Sequence, residues 1–402
     1  MRKMFRVFAA VAALASAVAL ASCATSSPLA PTLASPIPTA PAPGTSPAAS
    51  ASGIHHVFVI VLENAPYAES YGLHSKYRYL AQTLRPQGTL LSQYYATAHY
   101  SLGNYLAIIG GVAPNKEIQL DCGNYQAMVN PTNAADGQVS ARSGCIFPEQ
   151  TPTLAGQLTA ANLSWKGYME DMGNVSGREQ GTCGVPSLGN ASADLTQKAV
   201  AGDAYAARHN PFLYFDSVVN SPTCITNVVP LSQLTKDLGS IESTPNFSFI
   251  SPSLCNDGHD DSCQGQPAGP AAEDAWLKTW VTQITQSAAF RTDGALIIVN
   301  DEASGDSSAC CSEPSGPNIA YPGGTDAALM QAAGGGKGGG RTGALVLSPF
   351  VVPGAVSAVP YNHYSLLRTV EDIFGVSHLG YAGQPELHPF GTDVWTAAAH
   401  IG

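Results

Sequence analysis

Short apolar runs alternate with amphipathic stretches along most of the chain. Two segments contain unbroken apolar runs, 54–62 over its last six residues and 295–299 throughout, which is the pattern of strands buried on both faces. Three further segments predict strands, at 164–170, 247–250 and 343–348. Helical spacing or capping signals occur at 101–110, 153–161, 272–290 and 365–374. Strands alternating with helices predict an α/β fold with a mostly parallel central sheet and helices on both faces.

Both unbroken apolar runs lead directly into acidic residues. The first is followed by Glu63 and Asn64, and the second, after Asn300, by Asp301 and Glu302. Because ligands of open α/β sheets bind beyond the carboxyl ends of the strands, we expect both pairs in one crevice. Their oxygen atoms predict one divalent metal ion, with Mg²⁺, Ca²⁺ or Mn²⁺ favoured and Zn²⁺ possible. A solvated loop carboxylate is the alternative for each residue taken alone.

Two further residues are candidates for chemistry. Ser101 is expected to cap the helix that follows it, where free backbone N–H groups favour an anion such as a phosphoryl group. A serine in this position is more often only a cap, but a neighbouring metal ion would make it a candidate nucleophile. His259, in a loop with Asp257, could be a metal ligand, a phosphate contact or a general acid.

The N-terminal part of the chain differs in composition from the rest. A basic start and an apolar stretch predict a signal peptide over 1–22, and Leu20-Ala21-Ser22-Cys23 is similar to a bacterial lipobox. Cys23 would then be lipidated and attach the protein to the membrane; ordinary secretory cleavage is the alternative. Residues 23–52, rich in Pro, Ala and Ser, predict a flexible tether, and 53–402 one domain. We therefore expect an extracytoplasmic protein, either an envelope lipoprotein or secreted.

Charge and cysteine content restrict the partners and the compartment. The formal net charge is −11 and no basic run occurs, so nucleic acid is not an expected partner. An even number of cysteines after Cys23 in an exported chain predicts disulfides rather than zinc, since no CxxC pair exists. The local pairings 122–145, 183–224 and 255–263 are plausible. Adjacent Cys310 and Cys311 could pair with each other or each reach elsewhere.

Six motifs in a fixed order carry a family resemblance. They are Val-Phe-Val-Ile-Val-Leu-Glu63-Asn64, His99-Tyr-Ser101-Leu-Gly-Asn104-Tyr, Arg208-His209-Asn-Pro, Asn256-Asp257-Gly-His259-Asp260, Asn300-Asp301-Glu302 and Asn362-His363-Tyr-Ser-Leu-Leu-Arg-Thr-Val-Glu-Asp. Over about 54–385 the chain resembles the bacterial phosphoesterase family, which includes phospholipase C-type enzymes and secreted acid phosphatases. The resemblance is greatest to the compact secreted acid phosphatases.

The resemblance implies an alkaline-phosphatase-like α/β fold and a role for each matching residue. The implied metal ligands are Glu63, Asn64, Asp301 and Glu302. The implied catalytic residues are Ser101 as nucleophile and His209 and His259 as phosphoryl contacts or proton donors. The expected substrate-binding residues are Asn104, Arg208 and His363, with structural support as the alternative for His363.

The function expected on these grounds is that of an exported, lipid-anchored, metal-dependent phosphomonoesterase that forms a phosphoseryl intermediate. A phospholipase C-type phosphodiesterase is the alternative enzyme, and a non-catalytic lipid-anchored envelope binding protein is the alternative of another class. The chain departs from the family pattern at Tyr100 and Gly103, where Pro is usual, and at Asn300, where an aromatic residue is usual. Ala65-Pro66 also replaces Arg-Ser; these departures keep the reactive groups, and the resemblance does not determine the substrate specificity.

Overall fold

A computed structural model describes residues 53–319 and 338–401. The expected signal peptide, lipidated Cys23 and tether over 1–52 lie outside these residues. Part of the Gly334–Gly340 tract also lies outside them. In the described residues no helix is both long and apolar enough to span a membrane.

The centre of the fold is an eight-stranded sheet within the described residues. Its strands are β1 (His56–Leu62), β2 (Thr89–Leu91), β6 (Trp165–Met169), β7 (Val228–Pro230), β8 (Phe247–Ser251), β9 (Gly294–Asn300), β10 (Ala344–Leu347) and β11 (Val356–Ser357). The order across the sheet is β11-β2-β10-β9-β1-β8-β6-β7. Two small two-stranded sheets pair β3 (Tyr94–Tyr95) with β12 (Tyr361–Asn362) and β4 (Thr132–Asn133) with β5 (Val139–Ser140).

The strands β9, β1, β8, β6 and β7 run parallel, and β10 is antiparallel to both of its neighbours. The expected mostly parallel α/β sheet is therefore confirmed. The segment 343–348 was expected to be a strand, but nothing in its sequence indicated the reversed direction.

Helices cover both faces of the sheet. They are α1 (Tyr67–Ser70), α2 (Ser101–Gly110), α3 (Leu154–Ala160), α4 (Asp216–Val219), α5 (Pro222–Asn227), α6 (Ser232–Asp237), α7 (Pro270–Gln286), α8 (Ala288–Asp293) and α9 (His363–Phe374). Short 3₁₀ or π segments lie at Tyr79–Leu84, Arg85–Gln87, Ile118–Leu120, Ala135–Gly137, Asn190–Ser192, Ala207–His209, Pro211–Tyr214, Gly380–Gly383 and Ala397–Ala399.

The side chains of β1 show how the two layers form. Val57 and Val59 pack into a core that contains α2 and α9, whereas Phe58 and Ile60 pack into a second core that contains α7. Successive strand residues point to opposite faces, so an unbroken apolar run fills both cores. The expected helix at 272–290 is two helices, because Ser287 ends α7 and caps α8 by accepting the Phe290 N–H at 3.2 Å.

Four disulfides fix the loops above the sheet in the described residues. Cys122 pairs with Cys145, Cys183 with Cys224, Cys255 with Cys263, and Cys310 with its neighbour Cys311. The three local pairings are confirmed, and the adjacent cysteines pair with each other. Disulfides persist in oxidising compartments, so these bonds agree with an extracytoplasmic location.

Candidate active site

Three acidic residues follow three adjacent strands at the carboxyl edge of the sheet. Glu63 comes directly after β1, Asp301 directly after β9, and Asp257 lies six residues beyond β8. The main chain joins them: the Glu63 N–H donates to the Asp257 carbonyl at 2.8 Å, and the Asp301 N–H donates to the Leu62 carbonyl at 2.8 Å. All three side chains are fully buried. The crevice expected beyond the strand ends therefore contains a third carboxylate from β8.

Ser101 begins α2 and points at this group. Its hydroxyl donates to Glu63 Oε2 at 2.8 Å, and the Tyr105 hydroxyl, one helical turn later, donates to Glu63 Oε1 at 2.7 Å. Tyr100 occupies the N-cap position with a φ of 67° and provides no side-chain cap. The expectation that Ser101 caps the helix is wrong, because its hydroxyl bonds a carboxylate instead of a backbone N–H.

His209 lies among the carboxylates. Its Nε2 is 3.3 Å from Glu63 Oε1 and its Nδ1 is 3.2 Å from Asp257 Oδ2. The ring stacks on Tyr105 with centroids 5.0 Å apart. One possible ligand atom from each of Glu63, His209 and Asp257 lies within 4.8 Å of the other two. These three buried residues could hold a metal ion.

Burial and mutual repulsion determine the electrostatics of the cluster. Burial raises the pKa of Glu63 well above its ordinary value, and the charges of Asp301 and Asp257 raise it further. Burial likewise raises the pKa of Asp257 and of Asp301. Burial and the nearby Arg208 lower the pKa of His209, which keeps the imidazole neutral. Buried carboxylates are normally paired or bound to a metal, and a neutral imidazole is the form that binds one.

The buried polar atoms that make no hydrogen bond fit such an ion. Both ring nitrogens of His209, Oδ2 of Asp257 and Oδ2 of Asp301 are buried and accept or donate no hydrogen bond. A set of carboxylate oxygens with one imidazole nitrogen suits Mn²⁺ or Zn²⁺, and the oxygens alone suit Mg²⁺ or Ca²⁺. The residues present therefore fit a divalent cation without selecting one.

The other two expected ligands are engaged in protein contacts. Glu302 forms an ion pair with His99, and its Oε1 accepts the Tyr100 N–H at 3.0 Å. Asn64 has a φ of 58°, and its N–H donates to Asp301 Oδ1 at 3.0 Å. Glu302 thus holds the turn that precedes Ser101, and Asn64 orients Asp301. Their role as direct metal ligands stays a prediction.

Asp121 provides the cap that Ser101 does not. Its Oδ1 accepts the Leu102 N–H at 3.0 Å at the start of α2. Its own φ of 55° and that of Cys122, 49°, turn the chain toward the helix, and the Cys122–Cys145 disulfide fixes this turn. Burial raises the pKa of Asp121 to about 6. One of the backbone N–H groups at the helix start, that of Leu102, is therefore occupied by a carboxylate of the protein.

Arg208 lies between Asp121 and the histidines. Its Nε is 3.7 Å from Asp121 Oδ2, its Nη1 donates to the Gln197 carbonyl at 3.0 Å, and its Nη2 is 3.4 Å from His259 Nε2. The residue is buried, and Nε has no hydrogen-bond partner. A buried guanidinium with a donor that makes no hydrogen bond, next to the carboxylate that caps α2, is suited to bind a phosphoryl oxygen.

His259 is the most accessible histidine of the group. Its side chain is 32% exposed and its Nδ1 is 2.7 Å from Asp260 Oδ1. Its N–H donates to Asp257 Oδ1 at 2.8 Å, so the loop that carries it also orients Asp257. Burial and the neighbouring Arg208 lower its pKa. The structure brings His259 and His209 to the same side of the cluster, with ring centroids 6.2 Å apart.

Asn104 and His363 contact the main chain rather than the crevice. The Asn104 carbonyl oxygen accepts the Thr97 and Ala98 N–H groups at 3.0 and 2.8 Å, and its amide donates to the Ala98 and Tyr100 carbonyls. His363 is fully buried, with Nδ1 2.9 Å from the Tyr94 hydroxyl and Nε2 2.7 Å from the Asp301 carbonyl. Both residues support the segments that carry Ser101 and Asp301. Their expected contact with substrate stays a prediction.

Comparison with known proteins places the chain in a family. The model of the Phosphoesterase family matches residues 79–377. A probable acid phosphatase from Kluyveromyces lactis is 26% identical over 245 residues, which are 61% of this chain and 47% of that protein. A phosphatidylinositol-3-phosphatase from Mycobacterium tuberculosis is 25% identical over 341 residues, which are 85% of this chain and 82% of that protein.

One solved structure of similar fold is a protein in the alkaline phosphatase superfamily from Vibrio parahaemolyticus, with a TM-score of 0.44 and 12% identity. The similarity covers 86% of this chain and 74% of that one. The chain spans about half the length of the fungal acid phosphatases it matches. Because the family model covers most of the domain that bears the site, the chain belongs to the Phosphoesterase family.

Proposed function

We propose that this protein is an exported, metal-dependent phosphomonoesterase in which Ser101 attacks phosphorus. The observation that carries the proposal is the hydrogen bond from the Ser101 hydroxyl to Glu63, inside a buried group of carboxylates and an imidazole. A serine hydroxyl is a weak nucleophile in water, and such a group can raise its reactivity. Family membership supports the reaction class, and the acid phosphatase names of the fungal relatives support a monoester substrate.

A divalent cation would be held by Glu63, His209 and Asp257, with the free oxygen of Asp301 as a further donor. When bound, it would supply positive charge to a phosphoryl oxygen and to the serine oxygen. Asn64 and His363 fix the position of Asp301 from its two sides, one through the carboxylate and one through the main-chain carbonyl.

The remaining residues would bind and orient the phosphoryl group. Arg208 has a buried Nε that makes no hydrogen bond near the start of α2, where it would donate to an equatorial oxygen. His259, which is partly exposed and has its Nε2 3.4 Å from Arg208 Nη2, would face the departing alcohol. Attack in line by Ser101 then gives a phosphoserine, which water hydrolyses in a second step. Glu302 and Asn104 hold the turn from which Ser101 projects.

Steady-state kinetics test the proposal. With p-nitrophenyl phosphate as substrate, Ser101→Ala is expected to lower kcat by at least about a thousandfold, as loss of a nucleophile does in other hydrolases. Ser221→Ala is the matched control, because Ser221 starts a different helix and caps it by accepting the Thr223 N–H at 3.2 Å. Unchanged hydrolysis by Ser101→Ala would overturn the assignment of the nucleophile.

The same preparation separates the monoesterase from a phosphodiesterase. The proposal predicts faster hydrolysis of p-nitrophenyl phosphate than of phosphatidylcholine in vesicles. The reverse order would favour a phospholipase C-type enzyme with the same serine. Absence of turnover on both, with divalent metal present, would favour the non-catalytic binding protein.

A further inference from the structure

A cavity lies among residues that follow both acidic strand ends in the chain. Its volume is about 380 Å³. It is lined by residues of four segments: Pro66, Tyr67 and Ala68; Tyr95; Ser304, Gly305, Asp306 and Ser308; and Arg341. None of these residues has a part in the hydrolysis proposed above.

Two of the segments that line this cavity directly follow, in the sequence, the acidic residues at the ends of β1 and β9. Pro66 and Tyr67 follow Asn64, and Ser304 follows Glu302 by two residues. A hydrogen bond from the Ser304 N–H to the Asn64 carbonyl, 3.2 Å long, joins the two walls. The 303–308 loop also reaches the active site, because Ser307 Oγ is 2.9 Å from His99 Nε2. The loop that lines the cavity therefore also contacts His99, two residues before the proposed nucleophile.

Arg341 is the cation of the cavity. Its guanidinium lies over the Tyr67 ring, 4.3 Å from the centroid, and the Tyr67 N–H donates to the Arg341 carbonyl at 2.8 Å. Among the described residues, the guanidinium donates no hydrogen bond and forms no ion pair within 4.0 Å, although its charge also acts on the Asp306 carboxylate. Stacking on an aromatic face holds the plane of an arginine while leaving its donors at the edge available.

Asp306 shapes the cavity without using these donors. Its Oδ1 accepts the Ser308 N–H at 2.9 Å, and its Oδ2 accepts the Ser308 hydroxyl at 3.0 Å and the Arg341 N–H at 2.9 Å. Gly340, with a φ of 86°, allows the close approach of the two segments, since a Cβ there would lie 2.3 Å from the Asp306 carbonyl oxygen. These contacts between Asp306 and the 340–341 segment fix the main chain of Arg341 beside the cavity.

We propose that this cavity is a subsite for a second anionic group, a phosphate or a carboxylate, on the alcohol half of the phosphomonoester substrate. The subsite rests on the proposed function, in which Ser101 and Arg208 take the phosphoryl group that is transferred. Arginine presents paired donors that match the two oxygens of a phosphate or a carboxylate. In a chain with a formal charge of −11, a doubly anionic substrate needs a local cation of this kind.

Two substrate pairs test the subsite. Fructose 1,6-bisphosphate is compared with fructose 6-phosphate, and 3-phosphoglycerate with glycerol 3-phosphate, each as a ratio of kcat/KM. The wild type is expected to prefer the doubly anionic member by about tenfold, the value of one charge-assisted hydrogen bond of ordinary strength. Arg341→Ala is expected to bring the ratio close to one, and Arg341→Lys to keep part of the preference because it retains the charge.

Arg291→Ala is the matched control, because Arg291 is an exposed arginine on α8 outside this cavity and its loss changes the net charge equally. The ratio is expected to stay at the wild-type value in this variant. A wild-type ratio near one, a preference that survives in Arg341→Ala, or an equal loss in Arg291→Ala would overturn the subsite. Preference in only one substrate pair identifies the anion as phosphate or carboxylate.

A binding measurement separates failure of the subsite from failure of the proposed function. Titration calorimetry of Ser101→Ala with fructose 1,6-bisphosphate needs no turnover, and the Ser101→Ala, Arg341→Ala double variant is expected to bind about tenfold more weakly. Equal binding by both variants would refute the subsite even if Ser101 proves to be the nucleophile. Weaker binding by the double variant would support the subsite even if Ser101→Ala remains active.

Discussion

At the scale of single residues, the distinguishing feature of Ser101 is the group that accepts the hydrogen bond from its hydroxyl. A helix-capping serine accepts a backbone N–H, whereas Ser101 donates to the buried Glu63 and leaves the helix end to Asp121. This exchange of roles frees the serine oxygen for chemistry. It also makes Asp121, a residue without any role in the sequence analysis, a positioning residue for the proposed nucleophile.

The cap can be tested by two substitutions at Asp121. Asp121→Ala removes the acceptor of the Leu102 N–H and is expected to lower the free energy of unfolding by about 1 kcal/mol, the usual value of a lost cap. Asp121→Asn keeps a carbonyl acceptor and is expected to retain most of this stability. Urea denaturation measures both.

Thr153→Ala is the control for Asp121, because Thr153 caps α3 by accepting the Gly156 N–H at 3.0 Å. It is expected to cost a similar free energy while leaving kcat for p-nitrophenyl phosphate unchanged, whereas Asp121→Ala lowers kcat. Equal kcat values for Asp121→Ala and the wild type would show that the cap does not position Ser101.

At the scale of secondary structure elements, the site depends on how α2 and α9 are fixed at their ends. The turn before α2 is held by Asn104 from inside the helix and by Glu302 from β9. At the first residue of α9, His363 Nε2 lies 2.7 Å from the Asp301 carbonyl oxygen. In the last turn of α9, Glu371 accepts the N–H of Leu379, in the loop that follows the helix, at 2.8 Å. Both helices therefore have one end at the site and one end held by the surrounding loops.

Glu371 is expected to make the stability of the fold depend on pH. Burial raises its pKa from the ordinary value of 4.5 to about 9 in the folded protein. A group with a raised folded pKa contributes most below its unfolded pKa, and its contribution is lost as the pH rises through the folded value. We therefore expect the free energy of unfolding to fall between about pH 5 and pH 9, by roughly 1 kcal/mol per pH unit from this group.

Glu371→Gln is expected to flatten that decline, because glutamine keeps an acceptor for Leu379 and does not ionise. Asp372→Asn is the matched control: the neighbouring residue on the same helix is 22% exposed and pairs with His378 at the surface. Thermal unfolding followed from pH 5 to pH 9 measures both variants. An unchanged slope in Glu371→Gln would assign the pH dependence to another group.

At the scale of the whole molecule, the fold brings three acidic side chains, Glu63, Asp257 and Asp301, together at one edge of the sheet. Three neighbouring parallel strands end there, and each is followed by a buried carboxylate. Charges brought together in this way oppose folding unless a cation joins them. The sheet order, with β1 between β8 and β9, is therefore also the reason for the proposed metal site.

A divalent ion that binds the folded state alone must stabilise it. After chelation and gel filtration, added Mn²⁺, Zn²⁺, Mg²⁺ or Ca²⁺ is expected to raise Tm, with about 2.7 kcal/mol of stabilisation when the ion is a hundredfold above its Kd. Asp257→Asn is expected to reduce the shift. Asp261→Asn removes an exposed acid from the same loop and is expected to keep it. A shift of equal size in all three proteins would place the ion elsewhere.

The sequence predicts the parts of this site that follow strand periodicity and misses those that depend on loops. Glu63 and Asp301 follow buried apolar runs, so the common edge of a parallel sheet brings them together. Asp257 stands in the Asn256–Asp260 motif but six residues beyond its strand, and spacing alone does not indicate where such a loop returns. Asp121 meets α2 through left-handed turns and a disulfide, for which the local sequence contains no helix-capping signal.

The most direct test of the central claim is to trap the intermediate. The wild-type protein, loaded with divalent metal and mixed with a phosphomonoester, is quenched in acid within one turnover, and its peptides are analysed by mass spectrometry. We predict a phosphoryl group on Ser101 in the wild type and none in Ser101→Ala. A phosphoryl group on another residue such as His209, or turnover in the wild type without any phosphorylated residue, would contradict the assignment of Ser101 as the nucleophile.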